Sequence, residues 1–138
     1  WINAAIQFDF QLQIATPVGY EPNAALVAEA GDRVSVSNDP VTAATGADLV
    51  TTDVFASMGQ EAEQEERLKH FAGFQVNHAL MAHAADKALF MHCLPAHRDE
   101  EVSGELMEDE NISVVWDEAE NRLHAQKALM VFLLQASS

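Results

Sequence analysis

The sequence predicts an open α/β domain, a mainly parallel sheet with helices on both faces, and two observations carry that expectation. Short apolar, β-branched runs fall at residues 12–16, 33–37, 48–52, 89–92 and 112–116, and stretches with helical spacing separate them. Strands that alternate with helices are joined by crossovers, which makes them parallel and buries the sheet between helical layers. The second observation is size: 138 residues, 49% of them apolar, with only four prolines and six glycines. That is enough chain for one domain with a real core, and too little proline and glycine for a disordered or collagen-like chain. No repeat, low-complexity tract or linker divides residues 1–138.

In chain order, a helix is expected over residues 2–10 and the first strand over 12–16. The next helix, 23–30, is closed by Gly31, a residue that tolerates the left-handed conformation of a helix C-terminus. After the strand at 33–37, Pro40 opens a short helical turn over 40–45, and the third strand follows at 48–52. Helices are expected at 61–71 and at 78–85, the latter capped by Asn77. The strand at 89–92 is followed by a helix at 102–107, a strand at 112–116 and a closing helix at 122–134.

Charge narrows the function. Twenty-two acidic residues against seven basic ones give a net charge of −15, a field that repels nucleic acid and anionic membranes. The acids cluster at 61–66, 99–101 and 108–110, where they suit solvated helix faces and helix starts. No apolar stretch approaches the roughly 20 residues that span a bilayer, and no secretory leader opens the chain. The expectation is a cytoplasmic protein without nucleic-acid or membrane partners. A single cysteine forms no internal disulfide, in keeping with a reducing compartment.

Asp53, Cys93 and Asp117 each lie just past an expected strand, and open parallel sheets bind ligands at that edge, so the three are expected to meet in one crevice. Neither a Gly-x-Gly-x-x-Gly turn nor a phosphate-binding loop follows any strand, which argues against a nucleotide. Cys93 closes the run Ala88-Leu89-Phe90, and Pro95 cannot extend a ladder, so Cys93 and Leu94 are expected to face outward. By default a lone cysteine is a small core hydrophobe. His92, Cys93 and His97 are ligand types that suit zinc, but two of them are adjacent in sequence and no paired ligand motif supports them; no metal site is expected.

Motifs displace the default reading of Cys93. His92-Cys93-Leu94-Pro95 resembles the ornithine-recognition motif of ornithine carbamoyltransferases, and Asp53-Val54-Phe55-Ala56-Ser57-Met58-Gly59 resembles their second signature. The segment 117–128, with Arg122 near its centre, is similar to the closing helix of that family, and the likeness runs from Trp1 to about Leu134. The resemblance implies a Rossmann-like ornithine-binding domain over residues 1–138, with the amino-terminal carbamoyl-phosphate domain absent. It further implies carbamoyl transfer from carbamoyl phosphate to the side-chain amine of L-ornithine, an arginine-biosynthesis type of step giving L-citrulline and phosphate. No cofactor and no metal are implied, and the full-length parent is expected to be a homotrimer.

By the same resemblance, Cys93 accepts the proton of the attacking amine, and Asp53 orients ornithine through its amino groups. Ser57 and Met58 hold the amino-acid end, Leu94 offers its carbonyl to the carbamoyl amide, and Arg122 braces carbamoyl phosphate. Nearby cations, His92, Arg98 or Arg122, are candidates to tune the thiol. The competing expectation is a non-catalytic module that keeps the fold and binds an amino acid or a partner chain. The chain is expected to be inactive alone.

Overall fold

A computed structural model describes residues 1–56 and 61–136. Helix α1 (Ile2–Phe8) leads into strand β1 (Leu12–Ala15), and helix α2 (Ala24–Ala30) leads through a short 3₁₀ turn into β2 (Val34–Ser37). Helix α3 (Pro40–Ala44) precedes β3 (Leu49–Thr52), and helices α4 (Glu61–His70) and α5 (His78–Met81) precede β4 (Leu89–His92). Helices α6 (Gly104–Met107) and α7 (Val115–Ala136) complete the order. Among the described residues the strands form two parallel pairs, β1 with β2 and β3 with β4. The parallel α/β organisation expected from alternation is therefore observed, as two pairs rather than one continuous hydrogen-bonded ladder.

Local chemistry sets most boundaries. Asn23 and Asp39 cap α2 and α3 by accepting backbone N–H bonds, with Pro40 at the start of α3, and Asn77 caps α5 through Leu80 N–H. Gly31 ends α2 at φ 57°, a conformation that a side chain would oppose. Asp9, at φ 55°, ends α1 two residues early and pairs with Arg33 at 2.9 Å.

Four expectations change. The strand expected at 112–116 is a single parallel bridge, Phe90 with Ser113, because Val115 and Trp116 already belong to α7. Acidic Asp117 and Glu118 stand in the first turn of that helix, where they complement its dipole, so the closing helix starts seven residues before the expected 122. The helix expected at 78–85 stops at Met81, since His83 O and Ala85 N–H bond to Gly46 and Ala47 instead. Similarly, α6 begins at Gly104 rather than 102, because Val102 is drawn into bridges with Val76 and Arg98.

Two apolar clusters hold these elements. Ala5, Ala30 and Val34 centre the one around β1 and β2. Val76, Phe90, Val102, Leu106, Met107 and Val115 centre the other, which packs the bridge segments and the root of α7 around β4. β4 is most deeply buried on alternate residues, Phe90 and His92 at 0% exposure, while Met91 on its other face is half-buried and Leu89 is exposed. The distal half of α7 leaves Leu129, Met130, Phe132 and Leu134 exposed. Among the described residues, no helix is long and apolar enough to cross a membrane.

Phe90 is the centre of the second cluster, and both its backbone groups bridge to residues 112 and 114. Phe90→Ala is expected to cost about 3–5 kcal/mol of unfolding free energy through the cavity it leaves. Denaturant titration measures this; a loss below 1 kcal/mol, roughly the scale of a surface substitution, would contradict the packing described.

Candidate functional site

The parallel register of β3 and β4 pairs Thr52 with His92, so the residues that follow, Asp53 and Cys93, leave the two strands side by side. They face each other: the Asp53 carboxylate is close enough to the Cys93 thiol to act on its ionisation. Asp53 also accepts from the Val54 backbone N–H at 2.7 Å, which fixes one of its oxygens. Just beyond, Phe55 is buried and stacks on Phe71 with ring centroids 4.6 Å apart, and Arg67 donates to the Phe55 carbonyl at 3.3 Å. Tyr20 packs edge-on against Phe71 and bonds to His70 Nδ1 at 3.0 Å, so an aromatic cluster anchors the chain beyond Asp53. Ser57 and Met58 lie outside the described residues.

Cys93 is exposed. Its sulfur is nevertheless partly enclosed, and that loss of hydration, followed by the nearby Asp53 carboxylate and the charge of Glu118, holds the thiol pKa above its ordinary value. The expected tuning by cations therefore does not occur through His92 or Arg98. The imidazole of His92 is turned inward at 0% exposure, and Arg98 is paired with Glu108. The neighbours that face the thiol are anionic.

The turn after β4 owes its shape to that inward histidine. Leu94 N–H donates to His92 Nδ1 at 2.9 Å, so the proton of the neutral ring sits on Nε2, which donates to Glu101 Oε1 at 3.1 Å. The same Oε1 accepts the His97 backbone N–H at 2.6 Å. Glu101 is wholly buried and so ties both ends of the segment 92–97 to one point. Leu94 sits at φ 53° before a cis bond to Pro95. Its side chain packs on the second cluster rather than facing outward as expected; the left-handed backbone turns the chain and leaves Cys93 at the surface.

The third expected member of the crevice is replaced. Asp117 is exposed in the first turn of α7, and Glu118 is the acid whose charge reaches Cys93. Helical phase explains the exchange: Val115 is fully buried, Glu118 follows it by three residues, and Arg122 follows Glu118 by four on the same face. Arg122 itself is exposed. The sequence carried this signal, but only for a helix that starts at Val115. Glu101 was missed because a buried carboxylate looks like any member of an acidic run; its position after a bridge-forming loop is a tertiary fact.

Replacing Asp53 removes an acceptor and a negative charge beside the thiol. In Asp53→Asn the Cys93 pKa falls toward its ordinary value, the thiolate fraction at pH 8 rises, and alkylation by iodoacetamide is expected to speed up by as much as about tenfold. An unchanged rate would separate the two residues.

Residues 1–133 match the family model described as aspartate/ornithine carbamoyltransferase, Asp/Orn binding domain. The chain is 64% identical over 136 residues to an ornithine carbamoyltransferase of Methylococcus capsulatus, covering 99% of this chain and 45% of that protein. It is 63% identical over 134 residues to one of Chromohalobacter salexigens, covering 97% and 44%. The crystal structure of the anabolic ornithine carbamoyltransferase from Campylobacter jejuni superposes with a TM-score of 0.88 at 35% identity, over 99% of this chain and 47% of that one. The chain thus spans a little under half the length of the relatives it matches. Sequence and fold agree: the chain belongs to the aspartate/ornithine carbamoyltransferase family and matches its Asp/Orn-binding domain.

Proposed function

We propose that this chain supplies the ornithine side of a carbamoyl-transfer site. The observation that carries the reading is the β3/β4 register, which sets the Asp53 carboxylate beside the Cys93 thiol at the carboxyl ends of adjacent parallel strands. In the proposed reaction the side-chain nitrogen of L-ornithine bonds to the carbonyl carbon of carbamoyl phosphate. The bond from that carbon to the phosphate oxygen breaks, giving L-citrulline and phosphate, and the amine gives up a proton. An alkylammonium has a pKa of about 10.4, so the site must favour its neutral form. A thiol pKa held above the ordinary value is nearer to that of the amine, which makes proton transfer from amine to thiolate less uphill.

In this reading Asp53 orients the amino groups of ornithine, and Ser57 and Met58 hold its amino-acid end. Leu94 offers its carbonyl to the carbamoyl amide, and Arg122 gives forked donors to carbamoyl phosphate. The placement of Arg122 one turn beyond Glu118 supports that role. The relatives are about twice as long as this chain, and the exposed apolar side of α7 is a surface suited to covering by a further domain or subunit. A homotrimeric, cytoplasmic parent enzyme accords with the family. Residues 1–138 alone are expected to bind an amino acid at most, because their positive charge is scarce and much of the phosphate site would lie elsewhere.

Citrulline formation tests the proposal. In the full-length protein, Cys93→Ser is expected to lower kcat by about 100-fold or more and to abolish the alkaline rise of the rate, since a serine hydroxyl hardly ionises. Asp53→Asn is expected to raise KM for ornithine by about 10- to 100-fold. Arg122→Ala should weaken carbamoyl phosphate binding measured without ornithine. Citrulline synthesis by residues 1–138 alone would overturn the expected inactivity of the isolated chain, and a Cys93→Ser enzyme with unchanged turnover and pH profile would refute the role assigned to the thiol.

A further inference from the structure

Three side chains at the far end of the Cys93 turn converge without satisfying one another. One ring nitrogen of His97 and one carboxylate oxygen each of Glu100 and Glu101 lie within 4.8 Å of one another. His97 Nδ1, Glu100 Oε2 and Glu101 Oε2 are each buried and have no hydrogen-bond partner. One unpartnered buried polar atom in a native fold already calls for a reason, and three in one cluster share one. Glu101 is the strongest of them. Its side chain is 0% exposed, its Oε1 already accepts from His92 and from the His97 backbone, and its Oε2 is buried without a hydrogen-bond partner.

Within the cluster His97 faces Glu100 at 3.7 Å, and among the described residues no arginine or lysine is shown to reach the free oxygen of Glu101. Arg98 is engaged by Glu108, and His92 meets the other oxygen of Glu101. Two carboxylates and an imidazole in partial burial are stabilised by a cation between them. One histidine nitrogen with two carboxylate oxygens is a donor set that zinc accepts. The spacing agrees: His97 Nδ1 and Glu100 Oε2 are 3.7 Å apart. Two ligands at about 2.1 Å from a tetrahedral ion stand about 3.4 Å apart. The His97 and Glu100 side chains are 43% and 32% exposed, so they leave a path from solvent and have room to close on an ion, with Glu101 as the fixed floor.

We propose that His97, Glu100 and Glu101 form a binding site for a divalent cation of the zinc class, with water as the fourth ligand. The site is separate from the thiol of Cys93. It differs from the grouping of His92, His97 and Cys93 considered from sequence, because folding turns His92 away to Glu101 and leaves Cys93 with Asp53. An ion held on Oε2 of Glu101 braces the residue that ties down the turn carrying Cys93.

The test titrates metal-free protein with Zn²⁺ by calorimetry and with Co²⁺ by visible absorption. One ion per chain is expected, with the intense absorption of tetrahedral Co²⁺, in the unmodified protein and in Cys93→Ser alike. His97→Ala and Glu100→Gln, both at partly exposed positions, should each weaken binding by about tenfold or more while circular dichroism shows the fold retained. Absence of binding, binding that depends on Cys93, or unchanged affinity in both the His97 and Glu100 variants would overturn the site.

Discussion

A buried carboxylate, Glu101, fixes the geometry on which the site depends. Its Oε1 receives the Nε2–H of His92 and the backbone N–H of His97, and the other nitrogen of His92 receives Leu94 N–H. Hydrogen bonds to a charged acceptor are stronger than neutral ones, and here they are withdrawn from water, so the segment 92–97 is pinned at both ends. With its ends fixed and Leu94 in the left-handed region, the segment has one way to present Cys93 beside Asp53. Removing one partner of such a buried pair is far more damaging than its net contribution suggests, because the other is left unsatisfied.

The parallel register of β3 and β4 supplies the second half of the arrangement. It brings two residues forty positions apart to the same edge, and the aromatic stack of Phe55 on Phe71 keeps the chain after Asp53 from wandering. The resulting environment is anionic. Asp53 and Glu118 face the thiol, and two of the cations expected to tune it, His92 and Arg98, are committed to Glu101 and Glu108. A thiol in these surroundings is a poor spontaneous nucleophile and a comparatively strong base once ionised, which suits proton transfer with an amine better than covalent catalysis.

Net charge acts at a different level. An excess of 15 negative charges sets the sign of the long-range field, yet it does not say which acids are solvated and which are structural. Glu108 and Asp109 illustrate the distinction within one acidic run: the first engages Arg98, and the second engages His78 at 3.0 Å. The hydrogen bond from His78, with further bonds from Asn111, holds the Asp109 carboxyl below the usual carboxylate range.

The sequence by itself determined what local rules govern. Alternating apolar periods located β1 to β4, Gly31 marked the end of α2, Pro40 and Asn77 marked the starts of α3 and α5, and two motifs in order singled out Asp53 and Cys93. Only the tertiary structure decided the rest, because those outcomes depend on contacts distant in sequence. Backbone groups of Gly46 and Ala47 shortened α5, and the bridge of Phe90 to Ser113 replaced a strand. An early start of α7 rotated Glu118 rather than Asp117 toward the thiol. The burial of Glu101 within an exposed-looking run was likewise invisible, since burial belongs to packing, and a carboxylate becomes structural only when folded neighbours bring donors to it.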